Sequence, residues 1–183
     1  MSFDAFLAAI HSAELQAVAR HWHAARGAKR MPAWRDIDPI EIGRNLRYVW
    51  AWKYDRASDD FTGRLAGEEI DRAFGKSLRG VKMTSFYPPE GVALWVPRLR
   101  RVALEPALMR GRGMVFSHLE RTVIGERIVM PLAEDGSLGD GILGATVYHQ
   151  PGSDAGRPTD PSLVPEEVAF FALDPEGVSA TSG

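Results

Sequence analysis

Between Tyr48 and Tyr54 the chain alternates without a break. Tyr48, Trp50, Trp52 and Tyr54 fall on one side of an extended segment, and Val49 and Ala51 fall on the other. A period of two predicts a β-strand, and apolar residues on both sides predict a central strand covered on both faces. Ala57 to Asp60 reads as a polar turn. Phe61, Gly63 and Leu65 then alternate through a second strand ending at Gly67. From Glu68 to Phe74 the period changes: Ile70 and Phe74 stand at i, i+4 and Gly75 follows as a stop, which predicts a short helix.

Upstream, Asp38-Pro39-Ile40-Glu41 is a helix start. Asp38 is placed to accept a first-turn N–H, Pro39 stands where no N–H is needed, and Glu41 is placed to reach back as a capping-box partner. The helix is expected over 39–46. Residues 2–26 are helical in pattern with a shift of phase. Phe3, Phe6, Leu7 and Ile10 form one stripe, Leu15, Val18 and Trp22 another, and Ser12 is placed to cap the second piece.

Downstream, Thr84 to Pro89 is a turn. Val92, Trp95, Leu99 and Val102 then predict a long helix, which Pro97 is expected to kink or restart. Three strands are expected near 107–116, 120–133 and 141–149, with Asp135-Gly136 beginning the last turn. Pro151 to Pro165 is polar and rich in Pro, Gly and Ser, and reads as a linker. The run EEVAFFAL (166–173) is expected to form an apolar-faced turn or short helix.

The chain has 183 residues, a formal net charge of −2 and no cysteine. That length suits one domain with extensions. The charge balance gives no sign of general nucleic-acid or membrane binding. No apolar run approaches the ~18 residues of a spanning helix, and the N-terminus lacks a signal-peptide pattern, so a cytoplasmic location is expected. Without cysteine there is no disulfide, thiolate or Cys-ligated zinc chemistry.

The order of these elements resembles the PAS domain family, in the form common as small stand-alone proteins of alphaproteobacteria. The motifs are Trp22-His23-Ala24-Ala25-Arg26-Gly27 (W-x-x-x-R-G) and Pro32-Ala33-Trp34-Arg35-Asp36-Ile37-Asp38-Pro39-Ile40-Glu41-Ile42 (P-A-x-x-D-I-D-P-x-E-I). Arg64-Leu65-Ala66-Gly67 (R-L-x-G) and Phe74-Gly75-Lys76-Ser77-Leu78-Arg79-Gly80 (F-G-x-x-L-x-G) follow, then Glu126-Arg127 through Pro131-Leu132 to Asp135-Gly136. The resemblance covers roughly residues 20–150. Gly63 departs from it, where a larger residue is usual, and points to open space or a bulge. The resemblance implies an α+β fold: a five-stranded antiparallel sheet with short helices and one long connecting helix on one face. An N-terminal helical extension (1–30) would precede the PAS domain (31–150), with a polar linker and short tail (151–183) after it. It also implies a cavity between sheet and helices, with Tyr48, Trp50, Trp52, Phe61, Leu65, Phe74, Phe86 and Trp95 as ligand-binding candidates.

Other chemistry has weaker signals. Asp36 and Asp38 resemble the start of a calcium loop, but no loop glycine or terminal glutamate follows, and capping explains them. His11, His21 and His23 show no i, i+4 pair for a metal. His118 and His149 lie in or beside strands, where one histidine could hold haem, but a core-edge role is the ordinary one. Flavin–thiol photochemistry requires a cysteine the chain lacks. Arg98, Arg100, Arg101, Arg110 and Arg112 form a basic run, suited to an anionic ligand or to a solvated face. The glycines at 136, 139, 141 and 144 have the wrong spacing for a phosphate loop.

Three functions fit. The first is a non-enzymatic sensory module that binds an unidentified small molecule and signals through homodimerisation or a partner signalling protein. Its contact would be the stripe Phe3, Phe6, Leu7 and Ile10, since no length remains for an output domain. The second is a ligand-free protein–protein adapter. The third, a small enzyme, would need an acid–base pair inside the cavity, and no residue pair stands out for it. Haem titrated into the purified protein is expected to give no Soret band; the appearance of one overturns this reading of His118 and His149.

Overall fold

The alternating aromatic segment forms a strand, β1 (Val49–Asp55), in a computed structural model that describes residues 3–118, 121–149 and 166–173. It joins β2 (Asp60–Ala66), β3 (Ala107–His118), β4 (Arg121–Leu132), β5 (Gly141–His149) and β6 (Glu167–Ala172) in one antiparallel sheet of order β2-β1-β5-β4-β3-β6. β1 therefore has a neighbour on each side and is covered on both faces. Val49 and Ala51 enter one apolar cluster, and Trp50, Trp52 and Tyr54 enter the other. Tyr48 stands just outside the strand, at the end of a 3-10 segment (Gly43–Tyr48).

The sheet has six strands where five are expected, because EEVAFFAL is a strand and not a helical turn. Val168 and Phe170 face one cluster while Ala169 and Phe171 face the other. A helix would put adjacent Phe170 and Phe171 on neighbouring positions of one side; a strand separates them. The edge of β3 supplies the hydrogen-bond partner, with Leu108 opposite Phe171 and Gly111 opposite Val168. This pairing is non-local and leaves no local sequence signal.

A bulge marks the β1–β2 pair. Ala51 faces Leu65 and Trp52 faces Gly63, which leaves Arg64 as the extra residue. Phe61 and Leu65 consequently lie on opposite faces of the sheet. Gly63 is small because the chain after the next helix crosses it: a Cβ there would collide with the Leu78 carbonyl, and Gly63 and Gly80 bond at 2.8 Å.

Two layers of helix cover the sheet. On one face lie α1 (Phe3–Ala9) and α2 (Ala13–Arg26), the latter capped by Ser12 through the Leu15 amide at 3.4 Å. The N-terminal stripe packs on this sheet: Phe6 and Ile10 are buried, and Phe3 and Leu7 pack against the same cluster. Leu15, Val18 and Trp22 join them, and the Trp22 indole N–H donates to the Pro131 carbonyl at 2.9 Å. At roughly 1.5–3 kcal/mol per buried large side chain, this packing makes the two helices part of the core rather than an appendage.

α3 (Pro39–Ile42) starts on the Asp38 cap, which accepts the Ile40 amide at 2.7 Å. It is shorter than the 39–46 span expected, because the chain tightens to 3-10 geometry from Gly43. Glu41 does not close a capping box; it lies 3.2 Å from His21 Nδ1, and His21 Nε2 accepts the Asp38 amide instead. The opposite face of the sheet carries α4 (Glu68–Phe74), stopped by Gly75 at φ 65°, then α5 (Met83–Phe86) and α6 (Pro89–Leu104). Of the kink or restart expected at Pro97, the restart does not occur: α6 runs on through it. Leu99, Val102 and Ala103 are buried beyond it, and that packing outweighs the one hydrogen bond Pro97 omits.

One polar link pins α2 to the sheet. The buried Glu126 carboxylate accepts the His11 amide at 3.1 Å and the Ser12 amide at 2.8 Å, and pairs with buried Arg110 at 2.9 Å. The Arg110 guanidinium also reaches His11 Nδ1 at 2.9 Å. Burial pushes the Glu126 carboxyl up, but the His11 and Ser12 amides and the Arg110 guanidinium outweigh it and hold the group below its ordinary value. A depressed carboxylate contributes stability that is complete above its unfolded-state pKa and is lost as pH falls through the folded one. Glu126→Gln is therefore expected to cost on the order of 3–5 kcal/mol by leaving Arg110 without its counter-charge. It is also expected to flatten the loss of stability below the ordinary glutamate range. Denaturant titrations of both proteins across acidic pH check this, and parallel pH profiles would refute it.

Candidate functional site

Between the sheet and α4–α6 the side chains leave a cavity of about 20 Å³, enough for about one water molecule. β1 supplies Trp50 and Trp52 to its wall, and α4 with the segment after it supplies Ile70, Phe74 and Leu78. Tyr87 borders it from the turn before α6, and Trp95 and Leu99 from α6 itself. The remaining wall is β4 and β5: Arg127, Thr146 and Tyr148.

The wall is arranged by a few local fits. Gly144 lies opposite Trp50 on the neighbouring strand, and its missing side chain leaves the space the indole fills; a Cβ there would collide with the ring. With the ring laid flat, its N–H donates to Thr146 Oγ1 at 2.9 Å, two residues along β5. Trp95 lies under the Arg127 guanidinium, 4.2 Å from its ring centre, with Arg98 at 5.2 Å. Arg127 also forms an ion pair with Glu166, with Nε 2.9 Å from Oε1. The second oxygen of Glu166 accepts from Arg98 Nη1 at 2.9 Å. Burial pushes the Tyr148 hydroxyl up to about 12 and that of Tyr87 higher still, so both stay protonated.

Of the aromatic candidates, the structure brings Trp50, Trp52, Phe74 and Trp95 to this cavity. Phe61 and Phe86 belong to the same apolar layer away from the wall, where Phe61 packs on Tyr54 and Phe86 on Trp52. Leu65 lies on the other face, and Tyr48 stacks beside Arg47 outside the sheet. The basic run disperses. Arg100 pairs with Asp59 at 3.1 Å, Arg101 covers Phe170 at 4.1 Å, and Arg110 turns to the opposite face. His149 is exposed, and the His118 side chain lies outside the described residues.

Sequence reasoning missed Tyr87, Arg127, Thr146 and Tyr148. The last two had a signal: Gly144, Thr146 and Tyr148 alternate along β5 as Trp50 and Trp52 do along β1. Arg127 stood in the motif with Glu126 but carried no mark of which face it would take. Among the described residues no group of three or more His, Cys, Asp or Glu could hold a metal ion. None of their helices is long and apolar enough to cross a membrane.

A single antiparallel sheet carries short helices and one long helix that close over an aromatic pocket, an α+β arrangement. The family model for the PAS domain matches residues 10–147, most of the chain, and the chain belongs to that family. The match starts before α2, so that helix lies within the family's own span. No curated protein and no solved structure matches the chain.

Gly144→Ala tests the fit under Trp50. Overpacking at this contact is expected to lower stability by about 1–3 kcal/mol and to shift tryptophan emission. An unchanged denaturation midpoint would mean that the indole does not rest on Gly144.

Proposed function

We propose that this protein is a non-enzymatic, cytoplasmic sensory module of the alphaproteobacterial stand-alone PAS type, which binds a small molecule in the pocket beside the sheet. It passes the state of that pocket on by dimerising or by binding a signalling protein. The observation that carries the reading is the composition of the wall: six aromatic side chains with one buried guanidinium among them, on the face away from the N-terminal helices. Aromatic walls with few polar groups are the ordinary make-up of small-molecule sites. Two neighbouring residues of β4 support a route outward. Arg127 borders the pocket, and Glu126 beside it holds the start of α2 through the opposite face. Movement of β4 would loosen α1 and α2 and uncover Phe3, Phe6, Leu7 and Ile10 for a second copy or a partner.

The small cavity favours a second reading, in which the aromatic side chains fill the core and the protein is a ligand-free adapter. Native mass spectrometry of protein purified without refolding separates the two. The sensory reading expects a bound mass that disappears on denaturation, accompanied by a change in tryptophan emission. A bare chain mass, with emission unmoved by mild heating and dialysis, supports the adapter instead.

A further inference from the structure

We propose that the stack of His23 on Phe3 is a proton-operated latch on α1: the neutral imidazole holds the helix closed, and protonation releases it. The two rings, one from each N-terminal helix, lie 3.9 Å apart between centres and 9° from parallel. Phe3 is the first residue of α1, so the stack fastens the N-terminal end of that helix. The other end is fastened separately, by Glu126 holding the His11 and Ser12 amides. α1 has seven residues, too few to persist in water without such contacts.

A second proton on His23 is poorly accommodated in this stack. Nδ1 is buried and has no hydrogen-bond partner among the described residues. A neutral imidazole tolerates this, with its single proton on Nε2 and a lone pair on Nδ1. The imidazolium must carry a proton on Nδ1 as well, and that charged N–H would be buried with nothing to accept it. Arg26, three residues along α2, adds a like charge, and its own Nε is also buried without a partner. Burial first and Arg26 second hold His23 below its ordinary value, while Asp4 on α1 acts the other way. The Phe3 ring also attracts a cation, but that contact gains less than an unpaired buried charge costs.

A histidine held below its ordinary value takes its proton more readily once the stack is open. The closed state is therefore favoured at higher pH and loses ground as pH falls. Other groups that take up protons nearby are engaged elsewhere. His11 faces Glu126 and Arg110, and His21 faces Glu41, so neither takes part in the stack. Glu126 is held below the ordinary glutamate value, so it titrates under the range in which histidines do. For the signalling reading above, the latch adds a second route to the stripe Phe3, Phe6, Leu7 and Ile10, one that bypasses the pocket. Only this consequence rests on that reading.

Hydrogen exchange of residues 3–9 in the full chain, corrected for the intrinsic pH dependence of exchange, tests this from about pH 7.5 down to about pH 5. Protection of α1 is expected to fall severalfold across that range in the wild type. His23→Phe keeps a ring on Phe3 and removes the titrating group, so its α1 should be as protected as the wild type's at the upper pH and stay so at the lower. A ring titration of His23 by NMR should give a midpoint below that of histidine in an unstructured peptide, and Arg26→Gln should raise it. An equal loss of protection in His23→Phe and the wild type overturns the latch, as does wild-type protection that stays constant. If His23→Phe fails to fold, the wild-type ring titration decides: a midpoint at or above the unstructured value refutes the proposal. None of these readouts involves the pocket, so they stand or fall apart from the mass measurement above.

Discussion

Two adjacent residues of one strand carry opposite charges into opposite faces of one sheet, and the architecture is organised around them. Glu126 points to the N-terminal helices and Arg127 to the pocket. Both are buried, so each needs a partner of opposite charge on its own side. Glu126 has Arg110 and the amides at the start of α2. Arg127 has Glu166 and the Trp95 ring. The N-terminal helices and the C-terminal strand are thus both fixed by neighbours on β4, although they lie at opposite ends of the chain.

This arrangement explains why both faces of the sheet are closed. The side away from the pocket is sealed by α1 and α2 through Phe6, Ile10, Leu15, Val18 and Trp22. Such burial stabilises a wall without specifying its position; the Glu126 contacts supply the position, because hydrogen bonds to two consecutive amides admit little sliding. On the pocket side the fits are steric and local. Gly144 admits the Trp50 indole, and Gly111 admits the Glu166 carboxylate. Each glycine leaves a notch in the sheet surface that one named side chain fills.

Much of the fold was legible along the chain. Trp50, Trp52 and Tyr54 alternate because β1 is central, Asp38 and Pro39 open a helix through a local cap, and Gly75 ends another in the left-handed region. The misreadings share one feature. EEVAFFAL is a strand because β3 has a free edge, α6 passes Pro97 because the sheet holds it, and Glu41 turns to His21 because α2 lies alongside. In each case a contact distant in sequence outweighed a local preference of about 1–3 kcal/mol.

The sequence by itself determined the order of elements, the central strand and the supply of aromatic side chains, since periodicity and capping act over a few residues. Only the tertiary structure decided which aromatics meet in one wall. A bulge of a single residue at Arg64 sends Leu65 to the opposite face from Phe61 and Trp52. It also decided that Arg127 enters the pocket while Glu126 leaves it, and that Glu166 closes on both Arg98 and Arg127. The side a charged residue takes depends on strand register and on where its counter-charge arrives from, and both are properties of the folded chain.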